Sequence, residues 1–354
     1  DGELLSHHKF ADYLRKLKAQ GKKVYVIPGN HDINNPFAVR FNGAAHEKVQ
    51  SVTPEEFVSI YSEFGYGDAL ERDPNSLSYV AEPVQGIYLI AMDACRYKEN
   101  RMYPISSGKF SSATLKWIMN KIKEAKDKNK FVIGFMHHNI AEHYAGQSMV
   151  TPNYMVNNYA FISKHLAESG MNIVFTGHSH IQDVVYKSFD NTFLYDIATG
   201  SLVTYPNPYR IVSFPDSSTV SINSVYVENR SSSATGKSFQ ESSKNLIASG
   251  IKNYGADYIA RVFGIRKTIA NIIAPYAAAA FLANAEGDEL PGDETRQIFQ
   301  KLNSSRNFTN FYSQFLLKSL WNDLPPSDNN LIIDLNKGNA ITTSLGKSRF
   351  NSGF

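Results

Sequence analysis

The sequence predicts an α/β fold followed by a mainly α-helical C-terminal domain, and three observations carry this prediction. Short apolar, β-branched runs alternate with amphipathic helical segments up to about residue 180. From 183 to 226 the pattern changes to strands with two-residue alternation, and beyond about residue 231 it becomes helical. We therefore expect domains at 1–230 and 231–327, followed by a returning strand and a loosely held tail at 328–354.

Each element is justified by its own local signal. Residues 4–19 carry apolar side chains at helical spacing, and Gly21 ends that helix. A short β-branched run at 24–27 predicts a buried strand. Further helices are predicted at 54–64, 111–125 and 154–168, and further strands at 78–81, 87–92, 131–136, 172–176, 183–186, 192–197, 209–214, 219–226 and 331–333.

Composition excludes several classes of protein. The 354 residues are 42% hydrophobic and 19% charged, with a net charge of +3, which suits a folded catalytic domain plus a smaller unit. Lysine and arginine are spread along the chain, so we expect no obligate nucleic-acid partner. Cys95 is the single cysteine, which excludes an internal disulfide and a cysteine-rich zinc site. No apolar run is long enough to predict a transmembrane segment.

The first residues leave the compartment open. The chain begins with Asp1-Gly2-Glu3, has no initiator methionine and enters a helix at once. We interpret this start as a sign that another segment precedes it. A signal peptide in that segment would make the protein extracytoplasmic, either secreted or a lipoprotein, and without one it would be cytoplasmic.

Five of the ten histidines lie in three short motifs, and each motif directly follows a predicted strand. The motifs are Gly29-Asn30-His31-Asp32, Met136-His137-His138 and Gly177-His178-Ser179-His180. Taken singly each is a weak signal, since the first has the composition of an ordinary turn. Imidazole is the commonest side-chain metal ligand, and loops at the ends of neighbouring strands converge. Together the motifs predict a metal-assisted hydrolytic site.

In this order, the three motifs resemble those of the calcineurin-like metallophosphoesterases. A closer likeness is to bacterial cyclic-nucleotide-type phosphodiesterases that carry a helical C-terminal extension. This closer likeness extends the second motif to Asn139 with Glu142-His143, extends the third to 181–183, and adds the segment 196–202. It covers about residues 1–230 well and the helical end only loosely. The resemblance implies a four-layer α/β/β/α metallophosphoesterase sandwich. It also implies that the protein hydrolyses a small phosphate ester, with a cyclic-nucleotide-like phosphodiester as the first expectation.

The same resemblance implies a binuclear metal centre. Two divalent cations, Mn, Fe or Zn, would lie about 3.5–4 Å apart and activate a hydroxide. By motif match, Asn30, His137 and His178 would bind one cation, and His180 would bind the other. This set combines amide oxygen with imidazole nitrogen, which hard and borderline cations accept.

The resemblance also implies roles for residues that bind no metal. His31 would stabilise charge on the phosphate or protonate the leaving oxygen. Asp32 would orient the loop or an adjacent side chain, and capping a turn is an equal alternative.

Four further residues are candidates for contact with substrate: His138, His143, Tyr154 and Asn157. His138 would orient His137 or touch substrate, with a packed histidine as the alternative. The other three belong to a polar, aromatic stretch in which a base or sugar could stack, and a solvated loop is the alternative. The remaining histidines are interpreted as surface or satisfied residues: His7, His8, His46 and His165.

The sequence also departs from the family pattern. The Asp-x-His and Gly-Asp motifs that relatives carry upstream are absent from this chain. The Asn30 cation would keep three of its four expected protein ligands, and the His180 cation would keep one. We hypothesise that the intact protein is an enzyme and that this chain alone is inactive or impaired. The alternatives are a phosphomonoesterase of the same fold and a non-catalytic remnant with an incomplete metal site.

The helical end offers no catalytic constellation. Its acidic stretch at 285–289 lacks the alternating oxygen donors of a calcium loop. The apolar stripe between 260 and 281 predicts a packing face. A homodimer surface or a lid is the alternative for that stripe.

Overall fold

A computed structural model gives the fold and describes most of the chain. The described residues are 2–43, 45–228, 238–264, 266–288, 297, 321 and 325–343. By contacts in space the chain divides into two compact units: residues 1–141, 151–178 and 187–196 form the first, and residues 142–150, 179–186 and 197–354 form the second. The division into domains at 1–230, 231–327 and 328–354 stays a prediction. Its tail from residue 344 lies outside the described residues.

The helices and strands follow one another along the described chain as an alternating series that ends in two long helices and two strands. In chain order they are α1 (Leu4–Ala19), β1 (Val39–Asn42), β2 (Ala45–Lys48), α2 (Pro54–Ile60), β3 (Glu71–Arg72), β4 (Tyr79–Ala81), β5 (Ile87–Met92), α3 (Ser112–Asp127), β6 (Phe131–Met136), α4 (Gln147–Val150), α5 (Tyr159–Ser169), β7 (Ile173–Thr176), β8 (Asp183–Phe189), β9 (Thr192–Ala198), β10 (Pro208–Asp216), β11 (Thr219–Tyr226), α6 (Phe239–Phe263), α7 (Lys267–Glu286), β12 (Asn330–Asp334) and β13 (Asn339–Thr342).

Seven strands form a mixed sheet in the order β3-β4-β5-β6-β7-β9-β8. At its centre β5, β6 and β7 run parallel, with Met92 opposite Met136 and Phe135 opposite Phe175. Because parallel neighbours end at the same edge, the loops that follow β6 and β7 emerge side by side. Four antiparallel strands form a second sheet in the order β10-β11-β12-β13, and β1 pairs with β2 in a hairpin.

Helix α3 shows how the core of the first unit holds the central strands. Its side chains Ile118, Ile122 and Ala125 are fully buried and lie at the i, i+4, i+7 spacing of one helix face. The Oγ of Ser111 accepts the N–H of Thr114 at 3.0 Å and caps the first turn. Burying each isoleucine stabilises the fold by about 2 kcal/mol, and the partners are the apolar side chains of β5 and β6.

The predicted strand at 24–27 is wrong. Residues 20–38, all of them described, contain no strand between α1 and β1, and residues 22–29 form no regular secondary structure. The N–H of Val26 donates to the carbonyl of Phe64 at 3.1 Å, and the carbonyl of Val26 accepts the hydroxyl of Tyr79 at 2.9 Å. These partners lie in a turn and on a side chain, so residues 22–29 are held by packing and by individual hydrogen bonds.

The helix predicted at 154–168 begins later than expected, at Tyr159. Pro152–Tyr154 form a short 3-10 helix, and Met155 then forms a parallel bridge with Asn139, which interrupts the helical conformation. Asn158 then takes a left-handed conformation, with φ of 59°, immediately before the helix. Tertiary pairing therefore overrides local helix propensity at this point. The other predicted strands all occur, most of them within two residues of the expected bounds.

The second unit carries the long helices. α6 and α7 pack through small and β-branched side chains, among them Ala256, Ile259 and Ala274. β12 lies where the sequence predicts a returning strand, and it pairs with β11, with Leu331 opposite Ile222. No helix in the described part of the chain is both long and apolar enough to cross a membrane. The predicted class, α/β with C-terminal helices, is confirmed.

Candidate functional site

Two parallel strands bring His137 and His178 to one edge of the sheet. His137 directly follows β6, and His178 follows β7 with only Gly177 between. The N–H of Gly177 donates to the carbonyl of His137 at 3.0 Å, which ties the two loops at their first residues. Gly29 supports the approach from the first motif, because a Cβ there would lie 3.0 Å from Cε1 of His137. Only glycine lets this loop pass so close to the imidazole without displacing it.

Three donor atoms converge in this cluster. Nε2 of His137 lies 2.9 Å from Oδ1 of Asn30 and 2.9 Å from Nδ1 of His178. One imidazole nitrogen carries at most one hydrogen, so it cannot donate to both neighbours. Two ligands bound about 2.1 Å from one cation at a right angle lie about 3 Å apart, which is the spacing seen here. The two distances at His137 Nε2 therefore match the spacing of ligands on one divalent cation, and the assignment of the three residues as its ligands stays a prediction.

The amide of Asn30 supports the same interpretation. Asn30 is 3% exposed, and its Nδ2 has no hydrogen-bond partner among the described residues. A cation would bind the Oδ1 of this amide, whereas Nδ2 is a donor that only an acceptor can pair. Across the described ranges, no group of three or more His, Cys, Asp or Glu side chains is arranged to hold a metal. The cluster has an amide oxygen as its third donor.

The third motif has an unusual backbone. His178 has φ of 49° and His180 has φ of 56°, in the left-handed region that favours glycine. Each such residue stores about 1–3 kcal/mol of strain, which is typical of functional loops. His178 belongs to the first unit, whereas His180 belongs to the second and its side chain is exposed. The role of His180 as ligand of a second cation stays a prediction.

Asp32 holds the loop of the first motif together. Its Oδ2 accepts the N–H of Gly29 at 2.6 Å, and its carbonyl lies 3.2 Å from Nε2 of His7. Nδ1 of His7 lies 2.8 Å from the hydroxyl of Tyr61, so His7 is a satisfied, buried histidine, as predicted. The bond to Gly29 both orients the loop and caps its turn. A catalytic role for Asp32 stays a prediction.

His31 is held through its backbone. Nδ2 of Asn35 donates to the carbonyl of His31 at 2.9 Å, and Oδ1 of Asn35 accepts the N–H of Phe37 at 2.9 Å. Asn35 is 2% exposed, so it acts as a fixed brace under the loop. Burial lowers the pKa of His31, while the negative charge of Asp32 opposes that shift. The imidazole is therefore neutral near pH 7.

His138 packs against the two candidate ligands. It is fully buried, and its Nε2 lies 2.9 Å from the carbonyl of Ser106. Burial lowers the pKa of His138 to about 4, so the ring is neutral with its hydrogen on Nε2. Its centroid lies 5.1 Å from that of His137 and 4.9 Å from that of His178. In this conformation His138 presents no surface to a ligand.

The other substrate candidates are placed differently from one another. Tyr154 is partly exposed and stacks on the ring of His178, with centroids 4.7 Å apart and planes at 30°. Asn157 is exposed, and its N–H donates to the carbonyl of Gly108 at 2.8 Å. His143 belongs to the second unit, where its buried ring places Nδ1 3.0 Å from Oδ1 of Asp183. Tyr154 therefore contacts the cluster of candidate ligands.

Sequence reasoning missed the polar residues that hold the loops in place. Asn35 braces His31, while Thr176 and Asp196 lie at the ends of β7 and β9 and form buried hydrogen bonds. The available signal was a polar residue inside a strand of apolar ones, since a buried polar group must find a partner. That signal marks Thr176 and Asp196, but not what they bind.

Comparison with known proteins gives a family match. A family model described as calcineurin-like phosphoesterase matches residues 1–182, just over half of the 354-residue chain. A dimetal phosphatase from Danio rerio is a similar solved structure, with 13% identity, a TM-score of 0.41, and coverage of 60% of this chain and 72% of that chain. No curated protein matches the chain. All three histidine motifs lie within the residues that the family model matches.

Proposed function

The chain belongs to the calcineurin-like phosphoesterase family, and we propose that within this family it is a phosphodiesterase acting on a small, cyclic-nucleotide-like substrate. Metal-dependent hydrolysis of a phosphate ester is what the family implies. One observation carries the proposal at this chain's own residues: Asn30 and His178 each place a donor atom 2.9 Å from Nε2 of His137.

In the proposed site, Asn30, His137 and His178 hold one divalent cation through Oδ1, Nε2 and Nδ1. His180 would contribute to a second. A divalent cation bound there supplies Lewis-acid activation of water and of the phosphoryl oxygens. The motifs supply three ligands for the first cation and one for the second. We therefore propose that the first site binds its cation more tightly and that this chain alone is impaired in catalysis.

The side chains around this cluster suit a phosphodiester that carries a ring. His31 follows Asn30 directly, and in this proposal its imidazole N–H donates a hydrogen bond to the leaving oxygen while the ester P–O bond breaks. Tyr154, with a side chain 37% exposed and one face stacked on His178, offers its ring to a base or sugar. Water then contributes the new oxygen on phosphorus, and the products are a phosphomonoester and a free hydroxyl group.

The test compares a chromogenic phosphodiester with the matching monoester in the presence of manganese. We expect faster hydrolysis of the diester, and a loss of about 10²–10⁴-fold in His31→Ala. His178→Ala should lose both activity and bound manganese. His8→Ala is the matched control, because His8 is exposed on α1 and should leave the rate unchanged.

The possible outcomes separate the alternatives. Unchanged activity in His178→Ala would remove the metal argument. Preference for the monoester would identify a phosphomonoesterase of the same fold. Tight manganese binding without hydrolysis of either ester would favour a non-catalytic protein.

A further inference from the structure

Three buried polar side chains form a hydrogen-bond chain between the ends of β6, β7 and β9. Nδ2 of Asn139 donates to Oγ1 of Thr176 at 2.7 Å, and Oγ1 of Thr176 donates to Oδ1 of Asp196 at 2.5 Å. Oδ2 of Asp196 accepts the N–H groups of Ile140 at 2.7 Å and Ala141 at 3.0 Å. Asn139 and Asp196 are fully buried, and Thr176 is 6% exposed. We call this set the Asp196 chain.

The direction of each bond in the Asp196 chain follows from the chemistry of the groups. The N–H groups of Ile140 and Ala141 and the Nδ2 of Asn139 can only donate. The hydroxyl of Thr176 therefore accepts a hydrogen bond from Asn139 and donates its one hydrogen to Asp196. Both carboxylate oxygens of Asp196 accept hydrogen bonds. A buried polar network whose members are all paired selects one arrangement, so these bonds define one strongly preferred geometry.

This geometry bears directly on the two candidate ligands. Asn139 lies two residues after His137, and Thr176 lies two residues before His178. Their side-chain bond therefore crosses between the loops that carry the imidazoles, close to the backbone bond from Gly177 to His137. The separation of the two loops is fixed at two successive points.

The Asp196 chain also reaches the aromatic residue of the site. The backbone N–H of Asn139 donates to the carbonyl of Tyr154 at 3.2 Å, and its carbonyl accepts the N–H of Val156 at 2.9 Å. Tyr154 stacks on His178. Asn139 is thus bonded both to the segment 154–156 and to Thr176. The position of its side chain is set by Thr176 and, through Thr176, by Asp196.

A stabilising role alone does not account for a carboxylate at this place. Removing a charge from water is costly, and buried charges are weak evidence for stability, whereas fully satisfied polar networks select one arrangement. Ligands of a cation must be held within about 0.5 Å of the productive geometry. Loss of a residue that orients a ligand typically weakens metal binding about 10–100-fold.

We propose that Asp196 and Thr176 are positioning residues for the candidate metal site, setting the approach of His137 Nε2 to His178 Nδ1 through Asn139. This inference rests on the proposed function, because it takes the two imidazoles to be ligands of one cation.

The experiment titrates the full chain with cobalt(II) and records the affinity, the visible spectrum of the bound ion and the Tm of the metal-free protein. Thr176→Val removes the hydroxyl at constant shape, and Asp196→Asn removes the charge. We expect both to weaken cobalt binding about 10–100-fold and to alter the spectrum. Thr176→Ser keeps the hydroxyl and should give the wild-type cobalt affinity and the wild-type spectrum.

Thr192→Val is the matched control. Thr192 lies at the opposite end of β9 from Asp196, and its Oγ1 donates to the carbonyl of Ala167 at 3.0 Å. The substitution removes one hydrogen bond, as Thr176→Val does, but touches no candidate ligand loop. We expect a lower Tm with unchanged cobalt affinity and spectrum.

The outcomes keep the two ideas apart. If the wild-type chain binds no cobalt, the proposed metal site fails. If the wild type binds and Thr176→Val gives the same affinity and spectrum, the positioning role is overturned while the metal site stands. If Thr176→Ser fails to restore binding, or if Thr192→Val weakens it equally, the Asp196 chain is only structural and the inference is overturned. Should Asp196→Asn not fold, the threonine series decides alone.

Discussion

Gly108→Ala should destabilise the first unit by overpacking His138. A Cβ on Gly108 would lie 2.7 Å from Cγ and 2.8 Å from Nδ1 of that ring. Non-bonded carbon atoms pack at about 3.5–4.0 Å, so the ring or the backbone would have to move by about 1 Å. Gly108 does not lie in the left-handed region, so the whole effect is steric.

The surroundings of His138 leave no easy relaxation. The ring is fully buried, its Nε2 is bonded to the carbonyl of Ser106, and the rings of His137 and His178 lie about 5 Å away. Overpacking in such a core costs about 1–3 kcal/mol. Losing the bond to Ser106 as well would add about 1 kcal/mol. We therefore expect the free energy of unfolding to fall by about 2–4 kcal/mol.

Urea denaturation measures this fall in the free energy of unfolding. It is followed by the fluorescence of Trp117 in a Trp321→Phe background, which leaves Trp117 as the single tryptophan. Gly250→Ala is the control for the same substitution, because a Cβ there meets nothing within 4 Å. Within helix α6 this change should stabilise slightly, by about 0.5–1 kcal/mol. A Gly108→Ala protein that unfolds at the wild-type urea concentration would refute the packing argument.

Three other residues give predictions from single contacts. Asn35→Ala removes the brace under His31 and should lower the rate of diester hydrolysis about 10–100-fold at saturating substrate, and an unchanged kcat would count against that brace. Burial raises the pKa of Asp73, but hydrogen bonds to its carboxylate together lower this pKa below the ordinary value. The Asp73 carboxylate therefore stabilises the fold above about pH 4, and this stabilisation disappears as the pH falls through the folded-state pKa. Urea midpoints of Asp73→Asn should therefore fall below those of the wild type at pH 6 and approach them at low pH, and a constant gap would contradict this. Gly65→Ala combines φ of 113° with a clash against the Tyr79 hydroxyl and should lower the unfolding free energy by more than about 2 kcal/mol, and an unchanged Tm would refute it.

The strands that precede the second and third motifs were predictable, but the structure that precedes the first motif was not. β6 occupies the predicted residues 131–136, because a continuous apolar run bounded by polar residues leaves little choice of structure. The run at 24–27 is also apolar and β-branched, but it forms no strand. Strand formation depends on a partner, and no local pattern specifies which partner is within reach.

The burial of His138 illustrates a second limit. Only the family resemblance separates His137 from His138 in the sequence. In the structure, His137 points its Nε2 at Asn30, and His138 packs fully buried against Gly108. Successive side chains leave the end of a strand on opposite sides, so one of the two had to face away. Which one did so depends on the neighbours supplied by the rest of the fold.

By itself the sequence determined the chemistry available: three histidine-bearing motifs after apolar runs, in an order that identified the family. Tertiary structure decided which atoms meet. Asn30 and His178 lie 107 and 41 residues from His137, yet both approach its Nε2 to 2.9 Å. Local patterns act over a few residues, whereas such contacts depend on the register of β6 and β7 and on buried bonds such as that from Thr176 to Asp196. These are properties of packing, and they exist only once the chain has folded.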